Sequence, residues 1–201
     1  MKTDLNDKTV VITGGSGILG RGMVSELFKA GANVAVLDLR EAPTTSIPTS
    51  PGKSGNRILF TPTDVLKKES LQNAAAKVTA EFGQVDVLIN GAGGNRPDAT
   101  TSPECSFFDL PAEALRFTMD LNLLGTILTS QVFGKIMAKQ KFGNIINITS
   151  MNAFRPLTRI PAYSAAKAAV SNFTQWLAVH MAQEYSPNIR VNAIAPGFFL
   201  T

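Results

Sequence analysis

A run of glycines between an apolar strand and an amphipathic helix constrains this chain more than any other feature. Residues 8–13, KTVVIT, predict a buried strand, and the turn after it reads GGSGILG. Gly15-x-Gly17-x-x-Gly20 has the spacing of turns whose backbone approaches a pyrophosphate at a helix N-terminus. Small residues are required there because side chains would block that approach. Alone, the pattern is weak. Here a helix over 18–30 and a second strand, NVAVLD at 33–38, follow it, which is the context the mechanism requires. Gly14, Gly15, Ser16, Gly17, Ile18, Leu19 and Gly20 are therefore expected to border a dinucleotide. Asp38 ends the second strand, where a carboxylate accepts hydrogen bonds from an adenosine ribose and repels a 2′-phosphate. That favours NAD over NADP, with Arg40 close enough to compete; a solvated or capping aspartate is the plainer reading.

Strand and helix go on alternating. Further strands are predicted at 57–62, 85–90 and in GNIINITS, with a sixth opening NIRVNAIAPGFFLT. Helical spacing marks 67–82 (Leu71, Ala75, Val78, Phe82), 112–140, and a stretch from Pro161 to about 185. The pattern predicts an α/β fold, a doubly wound parallel sheet with helices on both faces, in a single domain over 1–201. Residues 42–56 break the alternation with three prolines, two glycines and no apolar period, and read as a surface loop.

The chemistry is concentrated between Ser150 and Lys167. Pro161 suits the first turn of a helix, where its missing N–H costs nothing. Tyr163 and Lys167 then project from one face, a turn apart, while Ser150 sits at the carboxyl end of the fifth strand. A hydroxyl, a phenol and an ammonium in one place suit proton transfer to or from an alcohol oxygen. A free phenol, with a pKa of about 10, is a poor base at neutral pH. A cation about 4 Å away favours the phenolate by up to about 4 kcal/mol at an effective dielectric near 20. The bland alternative is an amphipathic helix whose Tyr and Lys face solvent.

The S-x12-Y-x3-K spacing, TGGSGILG, NGAG at 90–93, Asn122 and the late NAIAPG together resemble the short-chain dehydrogenase/reductase family, in the family's order, from about residue 8 onward. The resemblance implies a Rossmann-fold oxidoreductase with Asn122, Ser150, Tyr163 and Lys167 as its catalytic set. Tyr163 would handle the hydroxyl proton, Lys167 would bind the nicotinamide ribose, and Asn122 would anchor a water in the relay. It also implies that Asp64 and Val65 hold the adenine, and that Asn90, Gly91, Ala92 and Gly93 run beneath the ribose. Pro196, Gly197 and Thr201 would meet the nicotinamide side. Two departures stand out: Ile18 occupies the place of the family's middle glycine, which Gly17 is expected to replace, and Gly91 replaces the second Asn of NNAG. Family members continue past the Pro-Gly motif into a substrate-covering segment, a last strand and a tail, which this sequence is expected to lack.

With 201 residues, 44% of them hydrophobic, the chain has material for one sizeable core. A net charge of +4 without a long basic run gives no nucleic-acid surface. No apolar run is long enough for a membrane span, and no metal-ligand cluster is legible. Cys105 is the sole cysteine, so a cytoplasmic home is expected. His180, the sole histidine, reads as structural.

Substrate is marked less sharply. AGGNRP, the helix after Ile160 and PGFFLT look similar to the family's sugar-acid branch, notably its D-mannonate oxidoreductases (fructuronate reductases). Asn95 and Arg96, in the long polar loop 94–111, with Arg155 and Arg159, fall on loops at the carboxyl ends of adjacent strands, where ligands enter such sheets. Three arginines there suit an anionic polyhydroxy acid, since each can grip a carboxylate with two hydrogen bonds. Solvated loop arginines are the alternative. The competing functions are a 3-oxoacyl carrier-protein reductase and an idle NAD-binding regulator, which would need only the glycine turn. By resemblance the helices at 112–140 and 162–185 pair across a two-fold axis, giving a homodimer or homotetramer.

Overall fold

The computed structural model describes residues 5–40 and 55–199. Its strands are β1 (Thr9–Thr13), β2 (Asn33–Asp38), β3 (Ile58–Pro62), β4 (Val87–Asn90), β5 (Gly143–Ile148) and β6 (Ile189–Ile194). All pair in parallel, in the order β3-β2-β1-β4-β5-β6. The order reverses between β1 and β4: β1 leads outward to β2 one way, and β4 leads to β5 the other. A crevice opens where the chains leaving these two strands diverge, which is where such sheets bind ligands.

Side chains alternate across the sheet with period two, and each face builds its own core. Val10, Ile12, Val34, Val36 and Ile89 pack against Val24 and Phe28 of α1 (Ile18–Lys29). Val11, Ala35, Leu88 and Ile145 pack on the opposite face. That face is covered by α2 (Lys68–Phe82), α4 (Gly125–Gln140) and α5 (Pro161–Glu184), through residues such as Val78, Phe133 and Leu177. The α/β class, the parallel sheet and the helices on both faces are thus as the sequence predicts.

The helix expected over 112–140 is not uniform. It divides into α3 (Ala112–Met119), a π-helical turn at Asp120–Leu124, and α4. One extra residue in that turn carries Asn122 inward, fully buried. Its side chain also bonds the helix backbone, donating from Nδ2 to the Thr118 carbonyl at 2.8 Å. β4 begins later than predicted because Val85 is tied elsewhere: its N–H donates to Gln140 Oε1 at 3.0 Å. Most of the loop predicted at 42–56 lies outside the described residues. Asn56, at its end, is buried and donates to the Phe28 and Ala32 carbonyls.

The glycine turn closes tightly. A Cβ on Gly20 would stand 2.2 Å from the Gly14 carbonyl oxygen and 2.7 Å from Gly15 Cα, both backbone atoms. A Cβ on Gly22, two residues along the same helix, would meet nothing within 4 Å. Gly20→Ala should therefore cost about 1–3 kcal/mol through overpacking. Gly22→Ala should add about 0.5–1 kcal/mol from helix propensity. Urea unfolding of the two variants checks this; equal midpoints would show that the turn relaxes around the methyl group.

Candidate active site

Four segments converge at the carboxyl edge of the sheet. The first pair, the loops after β1 and β4, are stitched together by Thr13. Its Oγ1 accepts from the N–H groups of both Gly91 and Ala92 at 3.1 Å. Gly14, with φ at 69°, passes so close that a Cβ there would be 2.9 Å from Ala92 Cα. Thr13 opens the TGGSGILG motif, but its tie to the loop after β4 could not be read from that motif.

The glycine turn leaves the N-terminus of α1 open. Gly17 is the N-cap and no side chain caps the turn, so the first-turn N–H groups of Ile18, Leu19 and Gly20 are left for an incoming anion. Ile18 does not obstruct the turn; its side chain is 60% exposed. Gly17 N–H donates to the Gly14 carbonyl at 3.1 Å, closing the turn. Asp38 faces this turn: Oδ2 accepts from Ser16 N–H at 3.0 Å and Oδ1 from Arg40 N–H at 3.2 Å. Asp64 and Val65 lie just past β3, whose neighbour is β2. Asp64 accepts from Leu66 N–H at 3.0 Å, and Val65 is buried against Gly125.

Asn122 clasps the loop after β4. Nδ2 donates to the Gly94 carbonyl at 2.7 Å, and Oδ1 accepts from Gly94 N–H at 3.1 Å. A Cβ on Gly93 would lie 2.6 Å from Asn122 Oδ1 and 3.2 Å from Lys167 Nζ, so Gly93, Asn122 and Lys167 meet at one point. Asn90 stands apart from its NGAG neighbours: its side-chain amide is buried, donating to Ser130 Oγ and Asn147 Oδ1.

Lys167 and Tyr163 share one turn of α5, with Nζ 5.6 Å from the ring centroid. The ammonium donates to the Ile148 carbonyl at 2.8 Å, two residues before Ser150. Burial alone lowers the Lys167 pKa from 10.5 to about 8. Ser150 is buried, and its Oγ accepts from Asn152 N–H at 3.2 Å, so its own proton is free to be donated. Pro196 and Gly197 border the same turn: the Pro196 carbonyl accepts from Met151 N–H at 3.0 Å. Thr201 lies outside the described residues.

The proposed substrate residues separate. Arg96 and Asp98 form a two-pronged pair, with Nε 2.7 Å and Nη2 2.5 Å from the carboxylate oxygens. Its guanidinium lies 5.1 Å from the centre of the Phe117 ring. The fork expected to grip a substrate carboxylate is already filled. Asn95 donates to Thr100 Oγ1 and the Arg96 carbonyl, shaping its own loop. Arg155 and Arg159 are exposed beside the Ser150 turn. The Arg159 carbonyl accepts from Thr101 N–H at 2.9 Å, which draws the two loops together. His180 lies away from all of this, stacked on Trp176 at 4.8 Å. Among the described residues no group of three His, Cys, Asp or Glu could hold a metal ion, and no helix is long and apolar enough to cross a membrane.

The lowered Lys167 pKa makes a stability prediction. Between about pH 8 and 10.5 the folded chain has released a proton that the unfolded chain keeps, so this group's contribution to stability rises with pH there. Without nucleotide, the wild type should gain about 3 kcal/mol relative to Lys167→Met across that window. Parallel unfolding-versus-pH curves would show that the ammonium is better solvated than its burial implies.

Comparison with known proteins agrees with this geometry. The short chain dehydrogenase family model matches residues 8–201. UxuB of Bacillus subtilis, an uncharacterized oxidoreductase, is 45% identical over 98% of this chain and 73% of its own length. The 2-dehydro-3-deoxy-D-gluconate 5-dehydrogenase of Escherichia coli is 35% identical, over 98% of this chain and 74% of that enzyme. A crystal structure of a candidate D-mannonate oxidoreductase from Haemophilus influenzae, with bound NAD, superposes with a TM-score of 0.89. It is 44% identical, over 98% of this chain and 73% of that one. With that family model covering residues 8–201, the chain belongs to the short-chain dehydrogenase/reductase family, oxidoreductases that act on alcohol groups.

Proposed function

We propose that this protein interconverts a secondary alcohol and a ketone with NAD, on a sugar acid of the D-mannonate/D-fructuronate kind. The observation that carries the reaction type is the Tyr163–Lys167 turn, its lysine buried and its tyrosine part-exposed, set against the end of β5 that presents Ser150. NAD, when bound, accepts or supplies the hydride. The chain fits such a cofactor: α1 offers an uncapped N-terminus, and Gly93 leaves open a space that a side chain would fill against Lys167.

In this reading the turn Gly14–Gly20 holds the pyrophosphate, with the N–H groups of Ile18, Leu19 and Gly20 as donors. Asp38 accepts from the adenosine ribose, and its charge disfavours a 2′-phosphate. Asp64 and Val65 border the adenine. The loop Asn90–Gly93 lies under the ribose, and Pro196 and Gly197 take the nicotinamide side with Thr201. Tyr163 and Lys167 bind the nicotinamide ribose. In oxidation the Tyr163 phenolate takes the proton of the substrate hydroxyl as hydride leaves the carbinol carbon; in reduction the phenol returns it. Lys167 supplies the positive charge that stabilises that phenolate. Ser150, its oxygen engaged by Asn152 N–H, turns its proton toward the substrate oxygen. Asn122 holds the loop beneath and supports the relay to Lys167.

For the substrate, support comes from two sources. Arg155 and Arg159 are exposed cations on the rim beside Ser150, whereas Arg96 is neutralised by Asp98 and drops out as a carboxylate anchor. The E. coli relative named above acts on a sugar acid. Assays following absorbance at 340 nm should show turnover of sugar acids by the full-length protein, and little with neutral sugars or acyl thioesters. Tyr163→Phe should lower kcat by about 10²–10⁴-fold while NAD still binds. Arg155→Ala or Arg159→Ala should raise KM for the acid at least tenfold, on the order of one charge-assisted pair. A KM rise equal for acid and neutral sugar would remove the anionic substrate from this reading.

Assembly is part of the same proposal. Trp176 and Val179 on α5, and Tyr185 just past its end, are exposed beside a groove of about 600 Å³ between α4 and α5. A second copy packing α4 and α5 across a two-fold axis would cover this apolar face. Light scattering on the full-length protein should give a dimer or tetramer, and Trp176→Glu should shift it toward monomer. A monomeric wild type would contradict the pairing.

A further inference from the structure

At the level of Asn90 the core of this protein changes character. Leu88 and Ile145, facing α4 and α5, sit in an apolar layer with Phe133 and Leu177. Two residues further along each strand, on the same face, stand Asn90 and Asn147, paired across β4 and β5. Asn90 Nδ2 donates to Asn147 Oδ1 at 2.8 Å and to Ser130 Oγ of α4 at 3.0 Å. Asn147 Nδ2 donates to Thr174 Oγ1 of α5 at 2.8 Å. All four side chains are buried.

We propose that this strap, Ser130–Asn90–Asn147–Thr174, fixes the height of α4 against α5, and so positions Asn122 opposite Tyr163 and Lys167. The inference rests on the catalytic roles given above. Its four members act as positioning residues, because their buried side chains bond one another rather than the site.

The strap runs on to the site through hydroxyls. Ser130 Oγ donates to the Thr126 carbonyl and Thr126 Oγ1 to the Asn122 carbonyl, each at 2.8 Å. Asn122 then clasps Gly94, on the loop that leaves β4 just after Asn90. That circuit closes on itself around the π-helical turn. On the other side, Thr174 Oγ1 donates to the Val170 carbonyl at 2.7 Å, one turn beyond Lys167. Apolar side chains in this layer would fill space but allow the helices to slide, because dispersion contacts carry little direction. Hydrogen bonds at fixed length select one register. The strap is also incompletely satisfied: Asn90 Oδ1 is buried without a protein partner. Stability alone would favour an apolar layer, so what the polar layer contributes is geometry.

Ser130 and Thr174 lie on different helices, and among the described residues the hydrogen bonds that join them run through the two asparagines, so a double-mutant cycle between them is diagnostic. Ser130→Ala and Thr174→Val should each lower kcat about tenfold or more, as a displacement near 1 Å can, with NAD affinity changed less than about twofold. The double variant should lose no more than the worse single one, because the strap is broken once. Thr174→Ser, which keeps the hydroxyl, should stay within about twofold of wild-type kcat. Losses that multiply in the double variant would show two separate packing defects and overturn the proposal. Wild-type kcat in either single variant would overturn it too, as would a Thr174→Ser as slow as Thr174→Val. Tyr163→Phe, assayed alongside, tests the catalytic reading separately. Should that variant stay active, the same cycle read in unfolding free energy still decides the strap, coupled energies supporting it and additive ones overturning it.

Discussion

Between the loops that follow β1 and β4 there is no room for a side chain. Gly14 and Ala92 approach until a Cβ on the glycine would overlap the neighbouring backbone, and Thr13 ties the two loops with one hydroxyl. This contact exists because β1 and β4 are adjacent while their connections run opposite ways along the sheet. It sets the floor of the crevice. The glycine turn rises on one side of it, and the loop held by Asn122 runs on the other. A parallel sheet buried on both faces leaves only its edges for ligands, and this reversal makes one part of the edge concave.

The site then concentrates polarity where the core would otherwise be apolar. Lys167 is the costliest member, since burial opposes its charge and pulls its pKa to about 8. A buried ammonium is tolerated when its few partners are fixed, and the Ile148 carbonyl, at the end of a rigid strand, is such a partner. The same logic runs along the helix opposite. Thr118, Asn122, Thr126 and Ser130 each turn a side chain back to the carbonyl four residues before it. These back-bonds weaken a regular helix slightly and favour bends. Here they flank the π-helical turn that buries Asn122. The strain and the polarity occupy one end of the fold; the opposite faces of the same helices pack conventionally.

Around the rim the physical chemistry is less economical. Arg96 illustrates how proximity misleads: it lies on the expected loop, yet Asp98, two residues on, takes both prongs of its guanidinium. A local pair forms at little entropic cost because the chain already holds its members together. Arg155 and Arg159 escape this, since no acidic residue lies nearby in sequence; both stand exposed beside the Ser150 turn. Phe154, Phe198 and Phe199 are exposed at the same rim.

By itself the sequence determined the elements, their parallel arrangement and the chemical groups of the site. Each of these is written locally. Apolar runs of four to six residues specify strands, the 3.6 period specifies helices, and a four-residue spacing puts Tyr163 and Lys167 on one face. The glycine turn between β1 and α1 was legible for the same reason. Tertiary structure decided what depends on distant groups meeting. Thr13 reaching Gly91, Arg96 preferring Asp98, the burial of Lys167, and the Asn90–Asn147 pair between Ser130 and Thr174 follow from strand order and helix height. The break of one predicted helix into α3, a π turn and α4 lies between the two levels. Polar side chains at every fourth position, 118 to 130, stand plainly in the sequence. Whether they face a neighbour or accompany a π turn is a tertiary matter, settled where Asn122 turns inward to hold the loop at Gly94.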